Sequence, residues 1–188
     1  MTPNPTLREL RADFGHSRMI AMPIAGAIAW TVTGICGAFL RQGLAAWALF
    51  ICTGMTFWLG VLIGPLVGED LLGRKRKNTE MDKLFLLTVL MSNLVWAIAI
   101  PFFMIHPSSL PLSVGILAGL MWVPLSWMMQ HWVGLFHGIT RTVLVVAAWY
   151  LFPAQRFVVI PGVIVIIYVI SIYVLATRPL PAVETADA

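Results

Sequence analysis

Long apolar stretches dominate the chain, and short polar segments separate them. An α-helix needs about 20 mainly apolar residues to cross the hydrocarbon core of a bilayer, which is about 30 Å thick. Six stretches meet this requirement, at residues 20–40, 44–67, 84–105, 110–129, 132–152 and 157–176. The pattern therefore predicts an all-α integral membrane bundle of about six transmembrane helices.

The fifth stretch is the weakest of the six because it contains His137 and Arg141. An arginine at the centre of a membrane helix costs about 2.5–3.5 kcal/mol, and each Leu, Ile, Phe or Val returns about 0.3–0.6 kcal/mol. The ten residues of these types in the stretch return roughly 3–6 kcal/mol, which offsets the arginine. We therefore expect this stretch to span the membrane. A five-helix protein with a re-entrant segment here is the alternative.

Residues 19–178 are expected to form the membrane domain, which includes a basic loop at 68–83. Residues 1–18 would lead into it, and residues 179–188 would form a disordered tail.

The lead-in contains a predicted short helix, because Thr6 and Glu9 have the spacing of a capping box. Leu7, Leu10 and Phe14 would share one face of this helix and rest on the bilayer surface. The helix would then act either as a membrane-surface sensor or as a simple entry to the first span.

The composition excludes an ordinary soluble domain. Hydrophobic residues make up 60% of the chain and charged residues 11%, against about 45–50% and about 25% in globular proteins. Nine of the twelve Lys and Arg residues would lie on one side of the membrane, in both terminal segments and in the loop at 68–83. Positively charged loops stay in the cytoplasm, so both termini are predicted to be cytoplasmic. Clustered positive charges of this kind favour membrane orientation over nucleic-acid binding.

The sequence offers no catalytic motif and no cofactor fingerprint. All eight acidic residues lie in the tails or in the loop at 68–83, so the carboxylates of a proton relay are missing at membrane depth. The histidines are too far apart for a metal site, and we expect Cys36 and Cys52 to be free thiols. These observations favour a protein that is not an enzyme.

One group of polar residues is predicted within the membrane. Arg141 and Asn93 each lie nine residues into a helix that runs outward, which places both about 14 Å deep. His137 lies one turn from Arg141 on the same face, and Gln130 extends this stripe towards the cytoplasm. Arg141 must face inward because a charge that faces lipid is costly. It is satisfied either by Asn93, backbone carbonyls and water, or by an anion or an anionic lipid headgroup in a cavity that it lines with His137.

The loop at 68–83 carries a run of four basic residues, Arg74, Lys75, Arg76 and Lys77. Each would contribute about 1 kcal/mol to binding anionic lipid headgroups near the surface. The alternative is that the run only fixes the orientation of the protein.

Small residues recur every four positions on several helices, as in Ala25, Ala29, Thr33 and Gly37. Such stripes let membrane helices approach closely. They predict packing within the bundle, with a homo-oligomer interface as the alternative. Pro124 lies deep in the fourth stretch, where it should kink the helix.

Three segments of the second half carry a family resemblance, namely LPLSVGILAGL (110–120), VGLFHGITRTVLVVAAWYLFP (133–153) and ISIY (170–173). They resemble an uncharacterised family of small bacterial membrane proteins that is classed as a domain of unknown function. The resemblance extends from about Leu10 over most of the chain. It implies a multi-pass protein of the bacterial plasma (inner) membrane, and it implies no activity.

For the function, the sequence favours a non-catalytic membrane component such as an assembly partner. A small transporter or channel for an anionic or small polar solute is the alternative, supported by the polar residues at membrane depth and the predicted kink. A membrane-embedded lipid-processing enzyme is the third interpretation, although no nucleophile or acid pair supports it.

Overall fold

The computed structural model describes residues 6–72 and 80–180. This part of the chain contains ten α-helices and three 3₁₀ segments, and no β-strand. The helices are α1 (Leu7–Gly15), α2 (Ala21–Phe39), α3 (Gln42–Gly54), α4 (Thr56–Ile63), α5 (Glu80–Leu94), α6 (Trp96–Ile105), α7 (Leu110–Leu117), α8 (Trp122–Met128), α9 (Val133–Leu151) and α10 (Arg156–Thr177). The 3₁₀ segments are Gly64–Val67, Pro107–Ser109 and Ala118–Met121.

Five helical segments in the described residues are long and apolar enough to cross a membrane. They are Ala21–Phe39, Glu80–Ile105, Pro107–Met128, Val133–Leu151 and Arg156–Thr177. A sixth span is completed if Gln42–Gly54 and Thr56–Val67 count as one segment, which bends by 47° between its halves. The predicted all-α membrane bundle is therefore confirmed, with five or six spans.

The strongly bent span is the second, whereas the fifth is a regular helix. The helix α9 runs without a break past Arg141, whereas α3 and α4 are separated by a bend at Gly54 and Met55. Glycine is a weak helix former. On either side of the bend, the hydroxyls of Thr53 and Thr56 donate to the carbonyls of Leu49 and Cys52, one turn back. Such back-bonding tends to bend helices.

The small-residue stripe of α2 packs inside the bundle, where α2 contacts α3, α4 and α10. Ala25, Ala29 and Thr33 are buried. A Cβ atom on Gly37 would collide with the backbone carbonyl of Phe157 at the start of α10. The stripe therefore serves close packing within the bundle, as expected, and at Gly37 the neighbour is the start of α10.

The lead-in helix α1 has the predicted capping box. The Glu9 backbone N–H donates to Thr6 Oγ1 at 3.3 Å, and the Thr6 N–H donates to Glu9 Oε2 at 2.6 Å. Phe14, however, is buried and lies 6.4 Å from Phe85 of α5, ring centre to ring centre. The expectation that Phe14 rests on the bilayer was wrong, because its ring completes the core at this end of the bundle.

Candidate functional site

Arg141 is the largest fully buried side chain in the described part of the protein, and 1% of it is exposed. Its Nε donates to the carbonyl oxygen of Gly115 in α7 at 2.5 Å. Its Nη1 lies 3.2 Å from the hydroxyl of Tyr168 in α10 and 3.5 Å from Nε2 of His137. The inward orientation that the sequence required is thus present, with partners from three helices.

The fourth span makes room for this guanidinium. Pro124 has no N–H and its ring crowds the carbonyl of Leu120, which lies in the 3₁₀ segment between α7 and α8. In 3₁₀ structure each N–H bonds three residues back instead of four, and a carbonyl oxygen has two lone pairs, so the Gly115 carbonyl can accept the bond from Arg141. Gly119 also supplies space, since a Cβ atom there would lie 2.8 Å from Cδ of Arg141.

His137 is held in one tautomer. Its ring stacks on Trp122 with a centroid distance of 3.9 Å and an interplanar angle of 12°. Its Nδ1 lies 2.9 Å from Ser171 Oγ, and the Ser171 hydroxyl donates to the carbonyl of Ile167 at 2.8 Å. Because that hydroxyl has a single hydrogen, Nδ1–H must donate to Ser171, and Nε2 accepts from Arg141. His137 is therefore neutral, and Arg141 carries the positive charge alone.

Arg141, His137, Gly115, Tyr168 and Ser171 are called the Arg141 network below. The Nη2 atom of Arg141 is buried and has no hydrogen-bond partner within residues 6–72 and 80–180. The hydrogen-bond partners of the side chain are neutral. The faces of Trp30 and Tyr168 lie 5.3 and 5.6 Å from the guanidinium carbon, which is within the range of a cation–π attraction. The network therefore solvates the cation in part and leaves its charge without a counter-ion.

Arg141 lines a cavity of about 100 Å³, called the Arg141 cavity below. Three irregular points in membrane helices reach it: Gly54 beside the bend between α3 and α4, Val95 between α5 and α6, and Ala118 at the start of the 3₁₀ segment after α7. Irregular backbone at membrane depth is tolerated where it is buried in protein or lines a cavity. The rest of the wall is mainly aromatic and aliphatic.

Two predicted members of the polar site are placed differently from the expectation. Asn93 also lines the cavity, but it is exposed and its side-chain amide donates to the carbonyl of Val89 at 2.8 Å. The expected bond from Arg141 to Asn93 is replaced, in the described structure, by the bonds to Gly115 and Tyr168. Gln130 is exposed in the turn before α9 with a φ of 52°, so it does not continue the helical stripe of His137 and Arg141.

A family model matches residues 7–178 of the chain. The chain belongs to a family of unknown function (DUF7010). The resemblance seen in the sequence is thereby confirmed as membership of an uncharacterised family. No curated protein and no solved structure matches the chain.

A second buried polar group of this DUF7010 chain lies where the first span begins and the last span ends. Glu69 accepts hydrogen bonds from the backbone N–H groups of Ile20 and Ala21, at 2.6 and 3.1 Å, and so caps α2. Arg178 donates to the carbonyls of three residues at distances of 2.6 to 3.3 Å. These are Met129, Gly15 and Ser17. We call Glu69, Arg178 and the backbone groups that they bind the terminal cluster.

Burial and charge oppose each other in the terminal cluster. Burial raises the pKa of Glu69, while the backbone N–H groups of Ile20 and Ala21 and the charge of Arg178 act in the opposite direction. Burial lowers the pKa of Arg178, and the charge of Glu69 opposes this. Each charge therefore stabilises the other in a poorly hydrated place.

Four members of the buried polar groups were not predicted from the sequence, namely Tyr168, Ser171, Glu69 and Arg178. Tyr168 and Ser171 are three residues apart in a helix that is otherwise almost wholly apolar. That spacing puts them on one face, which is a signal available from the sequence. Glu69 and Arg178 had no such signal, because their partners are far away along the chain.

The basic run Arg74, Lys75, Arg76 and Lys77 lies outside the described residues. Within residues 6–72 and 80–180, no group of three or more His, Cys, Asp or Glu side chains is arranged to hold a metal ion. Cys36 and Cys52 are free thiols.

Proposed function

We propose that the protein is a non-catalytic transporter that binds a small anionic solute in the Arg141 cavity, in a bacterial plasma membrane. The supporting observation is the fully buried Arg141 guanidinium, which lines the cavity with neutral hydrogen-bond partners. Ionisable residues within membrane spans are expensive to bury and mark substrate or ion pathways. An anion would supply the charge that this site lacks.

The helix breaks around the cavity favour transport over static binding. In many transporters the substrate site is formed near the middle of the membrane by discontinuous helices. Here the 47° bend beside Gly54 lies at the cavity that Arg141 lines, and smaller irregularities at Val95 and Ala118, within continuous spans, also reach it. Helix halves that join at such points can move relative to each other without breaking a continuous helix.

The proposal includes the orientation that the positive charges predict, with both termini in the cytoplasm. Fusions of a reporter that is active only outside the cytoplasm should work after Arg41, Ser108 and Arg156, and fail at the C-terminus. An active fusion at the C-terminus would show that the orientation is the reverse of this one or that the number of spans is odd.

A flux assay in sealed vesicles tests the function. The purified protein is reconstituted, and uptake of a panel of small anions is measured for the wild type, Arg141→Gln, Arg141→Lys and Arg41→Gln. We expect uptake of at least one anion, its loss in Arg141→Gln, partial retention in Arg141→Lys, and little change in Arg41→Gln, since Arg41 is exposed. Uptake that survives in Arg141→Gln would contradict the proposal. Absence of uptake for the whole panel would favour a membrane assembly component instead.

A further inference from the structure

The free donors of Arg141 limit the kind of anion that the cavity can hold. A guanidinium carries five N–H groups. One is used at Nε by Gly115, and both hydrogens of Nη1 have partners in Tyr168 and His137. Only Nη2 remains without a partner among the described residues. Arg141 therefore offers a ligand the two hydrogens of a single nitrogen, which is enough to bind one small anionic group such as a carboxylate.

The charges that face the cavity favour a ligand with one negative charge. His137 is neutral, so the Arg141 network carries a charge of one. Glu69 lines the same cavity, where its carboxylate is held by the N–H groups of Ile20 and Ala21. A second negative charge on the ligand would lack a cation and would be repelled by Glu69 across a medium of low dielectric constant.

The walls and the size of the cavity favour a small apolar body behind that charge. Trp30, Trp122, Phe57, Met22 and Leu125 are among the residues that line it. Its volume of about 100 Å³ is somewhat smaller than the roughly 150 Å³ of an apolar cavity that is known to admit benzene. An ion with a tightly held hydration shell would have to lose that shell against apolar walls.

We infer that the ligand of the Arg141 cavity is a small amphipathic monocarboxylate, with a short aliphatic chain or a single ring attached to one carboxylate. This inference rests on the proposed function, because it names the solute class for the same site. The carboxylate binds Nη2 of Arg141, and the apolar body packs against Trp30 and Trp122.

Binding to the full-length protein in lipid nanodiscs tests the inference, with empty nanodiscs as the blank. Calorimetric titrations with benzoate and butyrate are compared with those for benzamide, terephthalate and inorganic phosphate. Benzamide keeps the shape of benzoate without its charge, and terephthalate adds a second carboxylate. We expect benzoate or butyrate to bind at least tenfold more tightly than the other three compounds. Arg141→Gln should weaken this binding at least tenfold, and Arg41→Gln should leave it unchanged.

A second variant covers the case in which Arg141→Gln does not fold. Ala118 lines the cavity and is half-buried, so Ala118→Leu should fill the space while Arg141 stays in place. We expect it to weaken binding of the monocarboxylate at least tenfold. Binding that is unchanged in both folded variants would overturn the inference.

The outcomes separate the ligand class from the function. If phosphate or another inorganic anion binds in an Arg141-dependent manner and the monocarboxylates do not, the inference fails and the proposed function stands. If no anion of either kind binds, both fail. Equal binding of benzoate and benzamide would show that the carboxylate is not recognised, and this would also overturn the inference.

Discussion

The Arg141 network and the terminal cluster each bury an arginine, but they compensate its charge differently. Arg141 and Arg178 are 1% and 7% exposed, and each has one nitrogen without a partner among the described residues. Arg178 binds three backbone carbonyls and interacts with the carboxylate of Glu69. Arg141 binds one carbonyl, one hydroxyl and one neutral imidazole. Within the described residues, a carboxylate therefore balances the charge of Arg178, whereas the hydrogen-bond partners of Arg141 carry no negative charge.

The difference indicates different roles. A buried charge with hydrogen-bonded partners and an opposite charge can hold segments of the chain together, and its removal leaves the partner charge uncompensated. A buried charge without an opposite charge costs free energy to bury. The fold retains this cost at Arg141 and avoids it at Arg178, as expected if Arg141 serves a ligand and Arg178 serves stability.

The largest effect is expected for Arg178→Met. This change removes the charge beside Glu69 and leaves the carbonyls of Gly15, Ser17 and Met129 without their donor. We expect the free energy of unfolding to fall by about 3 kcal/mol, as measured by reversible unfolding in mixed micelles. Arg8→Met is the control, because Arg8 is exposed, and it should change stability by no more than about 0.5 kcal/mol. Equal effects of the two variants on the free energy of unfolding would contradict a structural role for Arg178.

Gly119→Ala tests how tightly the Arg141 network is packed. The new Cβ atom would lie 2.8 Å from Cδ of Arg141, and we expect a loss of about 2 kcal/mol in the same unfolding assay. Gly162→Ala in α10 is the matched control, since a Cβ atom there meets no atom within 4 Å. It should be neutral or stabilising by up to about 1 kcal/mol, through helix propensity alone. Similar effects at both glycines would mean that Arg141 has freedom to move.

Arg141→Met sharpens the contrast with Arg178. Methionine replaces the long side chain, so the loss of hydrogen bonds is offset by removal of a buried charge. We expect the free energy of unfolding without ligand to change by less than about 1 kcal/mol in either direction. A loss as large as that of Arg178→Met would show that Arg141 also fastens the fold.

The smallest effect is a difference in pH dependence. Burial raises the pKa of Glu69, so its contribution to stability is fully present below the pKa of the unfolded state and is lost as the pH rises through the folded pKa. For Glu9, hydrogen bonds with Thr6 lower the pKa of the carboxyl group. The contribution of Glu9 to stability is therefore lost as the pH falls through its folded pKa. Unfolding of Glu69→Gln and Glu9→Gln across acidic pH should therefore deviate from the wild type with opposite slopes. Slopes of the same sign would contradict the environment described for Glu69.

The sequence predicted the spans and the direction in which Arg141 faces, because both follow from the cost of placing polar groups in hydrocarbon. It also predicted that His137 and Arg141 share one face of their helix, which depends only on their spacing. The partners from other helices could not be predicted in this way. Tyr168 reaches Arg141 because α10 packs beside α9, and the Gly115 carbonyl reaches it because α7 packs against α9.

Asn93 and Gln130 show the limits of estimates based on depth. Equal depth brings Asn93 to the same cavity as Arg141, but the rotation of α5 decides whether the two side chains meet. The prediction for Gln130 assumed that a helix continued to that position, whereas α9 begins at Val133. The bend at Gly54 was also not predicted. The stretches on both sides of it are apolar, so the hydropathy pattern is the same for a bent span as for a straight one.

The bonds of Arg178 have a consequence for the order in which the protein can be completed. Its guanidinium binds the carbonyls of Gly15 and Ser17, which are synthesised 163 and 161 residues earlier. The junction between α1 and α2 therefore waits for the last helix to leave the ribosome and insert. Until then this junction lacks the bonds from Arg178 and is held only by earlier contacts such as the bonds of Glu69 to the start of α2.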